Sequence, residues 1–583
     1  MNKDGYVLGL WDGHDAGAAL VRGGQVVFAI NEERLSRRKL DIGFPRLSIQ
    51  AALAFGGLAA GDIGPIAFST SDFAKTLTRC FPSLREEYYL LRRRKKYPGP
   101  LNRFKKMTKY RITEWPSSPL TRMASRAVIR RELQRAGFQA PDIRLVDHHA
   151  AHAAAAGFSA GFRDCLVLTV DGIGDALSGS IWSFHEGRLN PIDTLPGKAS
   201  FGIFFEHVTN LMNMRELEDE GKVMALANFA YPVPDKDNPM LAFFAIDGTR
   251  IRAKYSSTRM YHELARILWR FPPEQFAYMA QRTLEVKVVE LVRNALRQSG
   301  LRNLAYAGGV ASNVKVNMLL RELPELDGLF VFPHMGDGGL AVGAAMWANY
   351  EAHGIHAYKV ENVYWGPSYT EAEIRKALGQ FPELSLAPCA DVVDKAAELL
   401  ARDEIIMWFQ GRTEFGPRSL GCRSILARPD SMDVKDALNL KLKRRVWYQP
   451  FCPTMLHEDA LLCLEGYQGP PNPFMTCAYR TRREKRRHLA GVINVDGSCR
   501  PQILAESGDD PYTRLLKKFK ARTGLGVLLN TSFNLHGEPI VCTPADALRT
   551  FAQTEVNHMV MEGLLVSKHA AATPLSPAQA KTA

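Results

Sequence analysis

The sequence lacks the features that mark membrane-spanning, exported or disulfide-bonded proteins. No apolar run reaches the roughly 18 residues that a membrane-spanning helix needs. The first residues, MNKDGYVLGLWDG, contain no basic segment followed by an apolar one and a cleavage site, so we expect no export signal. The nine cysteines, from Cys80 to Cys542, form no CxxC pair, which disfavours a disulfide framework or a thiolate zinc site. We therefore expect a protein of the reducing cytoplasm.

An excess of positive charge is missing from most of the chain. The formal net charge is +13, but residues 75 to 111 contain 13 basic and 2 acidic residues and so carry +11 of it. Apolar and aromatic residues among these charges include Tyr88, Tyr89, Leu90, Leu91, Phe104 and Tyr110. This basic segment is either a solvated helical insertion or a surface for anionic lipid or a lipid-linked acceptor. A nucleic-acid partner is not expected, because the charge is confined to one insertion rather than lining a groove.

A length of 583 residues, with 46% hydrophobic and 23% charged residues, predicts two or more ordinary globular domains. Two segments share the outline strand, Asp-Gly turn, strand, second turn, strand: YVLGLWDGHDAGAALVRGGQVVFAINEERL and CLVLTVDGIGDALSGSIWSFHEGRL. Helical stretches follow them, RLSIQAALAFGG and FAYMAQRTLEVKVVELVRNALRQSG. This order predicts two related α/β lobes that face each other across a cleft, with both DG turns lining it.

Proline and glycine interrupt the pattern before Thr370, which provides an N-cap for a new helix. We predict a first domain over residues 1–358, with the basic insertion at 75–115, and a second α/β domain over residues 359–568. The end of the chain, residues 569–583, has the composition of a disordered tail.

Three histidines lie close together in the stretch VDHHAAHAAAAGF, which follows a predicted strand. His148 and His152 are four residues apart, so they share one face of a helix, and both imidazoles can reach one metal ion at roughly 2.0–2.2 Å. The alternative is a pair of polar positions on an ordinary buried helix. A zinc protease is disfavoured, because its HExxH motif needs a glutamate where this chain has His149.

Carboxylates on two other turns could complete the coordination of such a metal. Asp171 lies in TVDGIGD and Asp337 lies in HMGDGGLA. Two histidines and two aspartates suit iron(II), manganese or zinc without thiolates. His14, in the first DG turn, would face the same cleft and could act as a base or orient a substrate. The glycines of LAYAGGVASNVKVNMLL either let the backbone approach a nucleotide phosphate or only permit tight packing.

The most specific motifs of the chain are DGHDAGAAL, DHHAAHAAAA, VDGIGD, EGKVMALA, GGVASNVKVN, GDGGLAVGAA, EFGPRSLGCRSILA and NTSFNLHGEPIVCTPADAL. On these motifs, and over residues 6–568, the chain resembles the carbamoyltransferase family that includes nodulation-factor, hydroxymethyl-cephem and tobramycin O-carbamoyltransferases. The resemblance implies a duplicated actin/hexokinase-type (ASKHA) ATPase-like domain, similar to that of tRNA threonylcarbamoylation proteins, followed by a YrdC-like α/β domain.

The resemblance also implies an activity. In such enzymes the YrdC-like domain joins carbamoyl phosphate and ATP into carbamoyl-adenylate, and the first domain transfers the carbamoyl group to an acceptor hydroxyl at a metal site. A sugar, glycolipid or secondary metabolite would supply that hydroxyl. The expected metal is Fe2+, with Mn2+ or Zn2+ as alternatives, and Mg2+ is expected to accompany ATP. The implied metal ligands are His148, His152, Asp171 and Asp337.

Further site roles follow from the same resemblance. The expected catalytic residues are His14, as a base, and Lys222, near the adenylate phosphate. The expected nucleotide- and carbamoyl-adenylate-binding residues are Asp12, Gly308, Gly309, Asn313, Arg412, Arg418, Arg423, Lys443, Arg445, Arg500, Asn530 and Ser532. Arginine forks suit bidentate phosphate contact, although each basic residue taken alone is equally compatible with a surface ion pair.

The chain departs from the family pattern at three positions. In RRVWYQPF, Val446 replaces a glutamate and Gln449 an arginine, and in INVDG, Asn494 replaces a histidine. These departures predict an altered pocket or a weaker activation step. Two other functions stay open: a tRNA threonylcarbamoyladenosine-type modification enzyme that uses the same first domain, and a scaffold that binds nucleotide without turnover. The inner membrane face is the alternative location if the basic segment binds lipid.

Overall fold

The computed structural model describes residues 5–96 and 111–568, and its first region contains two five-stranded mixed sheets. The strands of the first sheet are β1 (Tyr6–Trp11), β2 (Gly17–Arg22), β3 (Gln25–Asn31), β4 (Ile63–Ser69) and β5 (Asp142–Val146). Their order is β3-β2-β1-β4-β5. β1 to β3 form an antiparallel meander, and β4 and β5 continue the sheet parallel to β1.

The second sheet repeats this topology. The strands of this part are β6 (Asp164–Gly174), β7 (Leu177–His185), β8 (Arg188–Pro196), β9 (Phe244–Asp247), β10 (Arg250–Ala253), β11 (Asn303–Ala307) and β12 (Gly328–Val331). β9 and β10 form a separate ribbon, and the sheet order is β8-β7-β6-β11-β12. Its meander is again antiparallel, and its last two strands are parallel to β6. The two related lobes predicted from the repeated segments are therefore confirmed.

Twelve helices are described in this first region. They are α1 (Glu32–Ser36), α2 (Arg46–Gly56), α3 (Phe73–Cys80), α4 (Pro82–Arg92), α5 (Pro119–Arg135), α6 (His148–Gly157), α7 (Phe201–Leu211), α8 (Glu220–Leu226), α9 (Ser257–Arg270), α10 (Pro273–Ser299), α11 (Val314–Arg321) and α12 (Leu340–His353). α2 and α10 contain the two predicted helical stretches. α3, α4 and α5 belong to an insertion between β4 and β5.

Two of these helices form a layer between the sheets. α6 follows the first sheet but packs on β6 and β11 of the second, whereas α12 follows the second sheet and packs on β1, β2 and β4 of the first. Small residues permit this arrangement, since α6 reads HHAAHAAAAG and is buried along its whole length. A methyl group added to Gly343 of α12 would lie 2.0 Å from the Ala151 carbonyl oxygen of α6, so only glycine fits there.

The second region is built on one eight-stranded mixed sheet. Its strands are β13 (Leu384–Ala387), β14 (Ile406–Phe409), β15 (Arg423–Ala427), β16 (Cys452–Leu456), β17 (Tyr479–Arg480), β18 (Ser498–Cys499), β19 (Gln502–Leu504), β20 (Val527–Ser532), β21 (His558–Met561) and β22 (Leu564–Lys568). β17 and β18 form a separate ribbon, and the sheet order is β13-β22-β21-β14-β15-β20-β16-β19.

Helices cover the large sheet. They are α13 (Glu371–Leu378), α14 (Val392–Ala401), α15 (Met432–Ala437), α16 (His457–Cys463), α17 (Pro511–Thr523) and α18 (Pro544–Ala552). Apolar clusters fill the space on both faces of the sheet. The predicted cap of α13 is confirmed, because the Thr370 side chain accepts a hydrogen bond from the main-chain N–H of Glu373. The predicted boundary after residue 358 falls between α12 and α13.

Two sequence predictions fall at least partly outside the described residues. They are the tail at 569–583 and the part of the basic segment at 97–110. Over residues 5–96 and 111–568, no helix has both the length and the apolar character that crossing a membrane requires.

Candidate functional site

The first candidate metal ligands lie where β5 leads into α6. The strand ends at Val146, and Asp147 occupies the N-cap position of the helix. The main-chain N–H of His148 donates to the Asp175 carboxylate at 2.7 Å, which ties the start of α6 to the end of β6. As expected for positions four residues apart, His148 and His152 present their Nε2 atoms to one side of the helix.

Two carboxylates complete this metal cluster. Oδ2 of Asp171, near the end of β6, lies 3.1 Å from Nε2 of both His148 and His152. Oδ1 of Asp337, in the turn before α12, lies 3.6 Å from Nε2 of His148 and 3.7 Å from Nε2 of His152. All four ligand atoms lie within 4.8 Å of one another. Ligands at roughly 2.0–2.2 Å from one ion need separations of this order, so the four predicted residues are brought together closely enough to share it.

The cluster is buried, and its groups control one another's charge. His148 and His152 are 3% and 2% exposed. Although burial opposes a charged imidazole, Asp337 and Asp171 raise the pKa of His148 to about 9. Burial would raise the pKa of Asp171, but the two imidazoles hold it well below its usual range. A divalent cation fits this donor set, because it binds deprotonated imidazoles and offsets both carboxylates.

The glycine-rich turn after β11 positions one of these carboxylates. The main-chain N–H of Gly309 donates to Oδ1 of Asp171 at 3.1 Å, and a methyl group on Gly309 would lie 2.7 Å from that oxygen. Gly308 has φ of +96°, and a methyl group there would lie 2.2 Å from the Val170 carbonyl oxygen. Both glycines were expected to contact a nucleoside; Gly309 instead holds the Asp171 carboxylate in place, and Gly308 packs against the backbone of β6.

The third histidine of the stretch has a structural position. Nδ1 of His149 lies 2.9 Å from the Thr169 hydroxyl, and its Nε2 lies 3.1 Å from the Leu177 carbonyl oxygen. Burial lowers the pKa of His149 to about 3, so this side chain is neutral. It satisfies its hydrogen bonds within the core, which is the alternative that was open for all three histidines.

His14 lies at the edge of the metal cluster. Its Nε2 is 3.4 Å from Oδ2 of Asp337, and its side chain is 32% exposed, against 3% or less for His148 and His152. Of these histidines, His14 therefore combines contact with the cluster and access from solvent. Its catalytic role stays a prediction.

Comparison with known proteins decides the family. The model described as "Carbamoyltransferase N-terminus" matches residues 6–346, and the one described as "Carbamoyltransferase C-terminus" matches residues 397–568. The chain belongs to the carbamoyltransferase family. It is therefore a transferase.

Relatives of this carbamoyltransferase span most of its length. Nodulation protein NolNO of Sinorhizobium fredii is 33% identical over 574 residues, which cover 96% of this chain and 79% of the relative. The uncharacterized protein MJ1058 of Methanocaldococcus jannaschii is 35% identical over 466 residues, 76% of each chain. Among solved structures, HypF of T. kodakarensis aligns at 13% identity and a TM-score of 0.32, over 60% of this chain and 49% of its own.

The second region of this carbamoyltransferase contains a cation cluster formed by Arg418, Lys443, Arg445 and Arg500. Burial and the nearby Arg500 lower the pKa of Arg418 to about 9, and burial lowers that of Arg445 to about 10. Burial and Arg445 also lower the pKa of Lys443. Arg500 donates to Sγ of Cys452 at 2.9 Å. Among the residues described, none of the four has a carboxylate within ion-pair distance. Lys443 is buried and the three arginines are half-buried, and cations that repel one another in such a setting favour an anionic ligand.

Two other arginines expected at phosphates are held by the protein itself. Arg423 is fully buried, donates to the main-chain carbonyls of Gln410 and Cys422, and lies 3.5 Å from the centre of the Phe409 ring. Arg412 donates to main-chain carbonyls of the first region and of the connecting segment, at Val27, Trp365 and Gly366. The structure does not bring these two side chains to the cation cluster.

Asn530 and Ser532, at the end of β20, differ in their relation to the cation cluster. The main-chain carbonyl of Ser532 accepts a hydrogen bond from Nζ of Lys443, and its hydroxyl donates to Oδ1 of Asn534 at 2.6 Å. The Asn530 amide instead donates to the Thr454 hydroxyl at 3.1 Å, within the sheet. Ser532 therefore borders the cluster, whereas Asn530 contributes to the buried network of the sheet.

Lys222 and Asn313, both expected at the adenylate, make contacts within the protein. Nζ of Lys222 is 2.8 Å from Oδ1 of Asp219, and its charge adds to the burial that lowers the pKa of His536 in the second region. Lys222 is therefore close to the junction of the two regions. Asn313 caps α11, and its amide donates to Gln281 at 2.8 Å.

Much of the charge of the basic segment is used inside the protein. Arg79 and Lys75 both lie 2.8 Å from the Asp12 carboxylate, which is 4% exposed, and despite burial they hold the pKa of Asp12 well below its usual range. Asp12, expected at the nucleotide, is thus held in a buried ion pair. Arg92 pairs with Glu206 of the second lobe at 2.5 Å. These pairs fix α3 and α4 against both lobes.

A second buried network beside the metal cluster was not predicted. The Asn31 amide donates to the main-chain carbonyls of Asp15 and Gly338, at 3.0 and 3.2 Å. Nε2 of His334 lies 3.0 Å from Oδ1 of Asn31 and 3.4 Å from the Asp15 carboxylate. Burial and Glu33 raise the pKa of Asp15 to about 7. The signal was present, because Asp15 and His334 lie inside the motifs that contain His14 and Asp337.

Proposed function

We propose that this transferase is an ATP-dependent O-carbamoyltransferase that forms carbamoyl-adenylate. Carbamoyl phosphate loses its phosphate to water, the carbamate oxygen displaces pyrophosphate from the α-phosphorus of ATP, and an acceptor hydroxyl then displaces AMP. The products are the carbamoylated acceptor, AMP, pyrophosphate and phosphate. The observation that carries the proposal is the convergence of His148, His152, Asp171 and Asp337 within 4.8 Å, in a chain of the carbamoyltransferase family.

The first two steps are assigned to the second region, for which we propose a YrdC-like fold. Carbamoyl phosphate and ATP, which binds with Mg2+, are both polyanions. Arg418, Arg445, Arg500 and Lys443 supply buried positive charge without carboxylate partners among the described residues. Guanidinium forks bind phosphate oxygens in pairs, so they can orient the carbamate toward the α-phosphorus.

Transfer to the acceptor is assigned to the first region. The four residues of the metal cluster would hold Fe2+, with Mn2+ or Zn2+ as alternatives, and the bound metal would supply Lewis acidity toward an oxygen of the transferring group. His14 is placed to take the proton of the acceptor hydroxyl, with Asp337 orienting its ring from 3.4 Å. Lys222, close to the junction, would offset the charge of the adenylate phosphate.

The proposed acceptor is a hydroxyl of a sugar, glycolipid or secondary metabolite. A tRNA acceptor is less well supported, because Lys75, Arg79 and Arg92 of the basic segment are engaged in internal ion pairs. A lipid-linked acceptor would place the protein at the inner membrane face, and otherwise we propose a cytoplasmic protein.

The test is ATP- and carbamoyl-phosphate-dependent release of pyrophosphate by the purified, Fe2+-loaded protein under anaerobic conditions. Candidate acceptors are then incubated with isotope-labelled carbamoyl phosphate, and the expected result is a mass gain of one carbamoyl group. Omitting either ATP or carbamoyl phosphate provides the control. Absence of pyrophosphate release from the loaded protein would contradict the proposal.

A further inference from the structure

A cavity of about 330 Å³ lies between the loop after α1, the start of α4, and α5. Its charged lining consists of four arginines and two carboxylates, namely Arg46, Arg79, Arg85, Arg135, Asp12 and Glu132. None of these residues belongs to the metal cluster or to the cation cluster. We call this space the arginine cavity.

The charges of the arginine cavity do not balance. Asp12 is paired with both Arg79 and Lys75, so this single carboxylate offsets only one of the two cations. Glu132 faces both Arg46 and Arg135 and can offset only one of them. For Arg85 there is no carboxylate partner within residues 5–96 and 111–568. The lining therefore has two more arginines than carboxylates, which favours an anionic ligand.

The start of α4 adds to this positive field. The helix begins at Pro82 on the cavity wall, its N-cap makes no side-chain hydrogen bond, and its first turn has no acidic residue. Arg85 follows directly, although a helix N-terminus favours negative charge. Gly43 lies against the Arg85 guanidinium, since a methyl group on Gly43 would come within 2.9 Å of Cζ. An anion between Arg85 and the helix start would satisfy both.

Short contacts link the wall of the arginine cavity to the metal cluster. Ile42 on the cavity wall pairs with His14 in an isolated β-bridge. Nζ of Lys75 lies 4.2 Å from the Trp11 ring, and that ring lies 5.9 Å from the His148 ring, centre to centre. A ligand in the cavity is therefore close to the loop that carries His14.

The surroundings of the cavity are amphipathic. Phe44, Val128 and Ile129 contribute apolar lining. Leu84, next to Arg85 in α4, is an apolar side chain that is 41% exposed to solvent. A ligand with a phosphate joined to a less polar part matches this combination better than a simple inorganic ion.

We propose that the arginine cavity binds a phosphate group of the acceptor, so that the acceptor is a phosphate-bearing molecule, either soluble or lipid-linked. The binding does not depend on any catalytic step, whereas the role of the ligand as acceptor rests on the carbamoyl transfer proposed above. The site differs from the cation cluster, which would take the phosphates of ATP and carbamoyl phosphate.

The experiment is calorimetric titration with glucose 6-phosphate in an Arg418→Ala background, which weakens phosphate binding at the cation cluster. Adding Arg85→Ala should weaken binding about tenfold, the loss expected for one charge-assisted contact. Adding Glu132→Gln should strengthen it several-fold, because Arg46 and Arg135 lose their competing carboxylate. Arg131→Ala is the matched control, since this exposed arginine on α5 does not line the cavity and should leave affinity unchanged.

Opposite shifts from Arg85→Ala and Glu132→Gln cannot both arise from misfolding. Competition by vesicles of phosphatidylglycerol in phosphatidylcholine, but not by phosphatidylcholine alone, would assign a lipid-linked source, and its absence would assign a soluble one. If glucose 6-phosphate does not bind, or if Arg85→Ala and Arg131→Ala behave alike, the proposal is overturned. Pyrophosphate release by the unsubstituted protein, measured in parallel, reports on the proposed function separately.

Discussion

The metal cluster and the cation cluster both gather buried charge, but they differ in what balances it. In the metal cluster, Asp171 lies 3.1 Å from two imidazoles, so ligands of opposite charge hold one another in place. In the cation cluster, burial and the nearby Arg500 lower the pKa of Arg418, and among the described residues no carboxylate pairs with either arginine. The first site is therefore preorganised by its own side chains, whereas the second gains most from its substrates. The two can be broken separately.

The largest effect is expected from His148→Ala, which removes one metal ligand. Substituting a residue that only supports a metal ligand typically lowers metal affinity or activity by about 10–100-fold. Removal of a ligand itself should have a larger effect, so we expect the rate of carbamoyl transfer to fall on the order of 100-fold or more. Release of pyrophosphate should continue, because the cation cluster is untouched. Bound metal and both reactions are measured on the same preparation.

His185→Ala is the control for that substitution, since His185 lies at the exposed end of β7. If His148→Ala also stopped pyrophosphate release, the two clusters would have to be treated as one site.

Arg418→Ala should have the opposite effect, because it should lower pyrophosphate release and leave the bound metal in place. This substitution removes a charge-assisted contact to phosphate and exposes the neighbouring cations to water. We therefore expect ATP- and carbamoyl-phosphate-dependent pyrophosphate release to fall by about 10–100-fold. Bound metal should stay at the level of the unsubstituted protein, as measured by elemental analysis. Arg402→Ala, an exposed arginine paired with Glu398, should change neither quantity. A loss of metal in Arg418→Ala would contradict the separation.

A smaller effect is expected from Gly309→Ala, which sharpens the comparison by disturbing a ligand without removing it. The new methyl group would lie 2.7 Å from Oδ1 of Asp171 and must displace the carboxylate. Metal affinity should fall about tenfold, as for other supports of a ligand. Gly221→Ala is the matched control, because open space surrounds that position. Equal metal affinities in the two variants would show that Asp171 tolerates the shift.

The smallest effect is the stabilisation expected when inorganic phosphate, rather than a substrate, binds at the cation cluster. An anion that relieves the repulsion between Arg418 and Arg500 should stabilise the folded protein by about 1.4 kcal/mol at roughly ten times its Kd. For a region of this size that corresponds to a rise of about 3–6 °C in the melting temperature of the second region. Calorimetry with and without inorganic phosphate measures it. The rise should disappear in Arg500→Ala, and a rise of equal size there would place the phosphate elsewhere.

Local patterns were sufficient to predict the parts of the molecule that short spacing controls. The DG turns and alternating strands predicted both lobes, and the four-residue spacing of His148 and His152 predicted their shared face. These inferences depend on backbone geometry, which is why they hold without knowledge of distant contacts. The convergence with Asp171 and Asp337 rested on the family resemblance and on the expectation that turns of both lobes line one cleft, because β5, β6 and β12 are not neighbours in one sheet.

The fate of individual arginines could not be read in the same way. Arg412 and Arg418 are only six residues apart, yet Arg412 donates to the main-chain carbonyls of Val27 and Trp365 while Arg418 lies near Arg500. A long side chain reaches whatever the fold brings near, and that is decided by contacts hundreds of residues away. The ion pair between Arg92 and Glu206 was missed for the same reason.

The close contact between α6 and α12 has a consequence for metal selectivity. His148 and His152 lie in the N-terminal half of α6, and Asp337 lies in the turn before α12. The two helices are in contact where Gly343 of α12 packs against Ala151 of α6. The distance between α6 and α12 therefore sets the distance between the two imidazoles and the Asp337 carboxylate. A methyl group added at Gly343 would push the two helices apart and lengthen the distance between the imidazoles and the Asp337 carboxylate. The metal site would then favour larger ions.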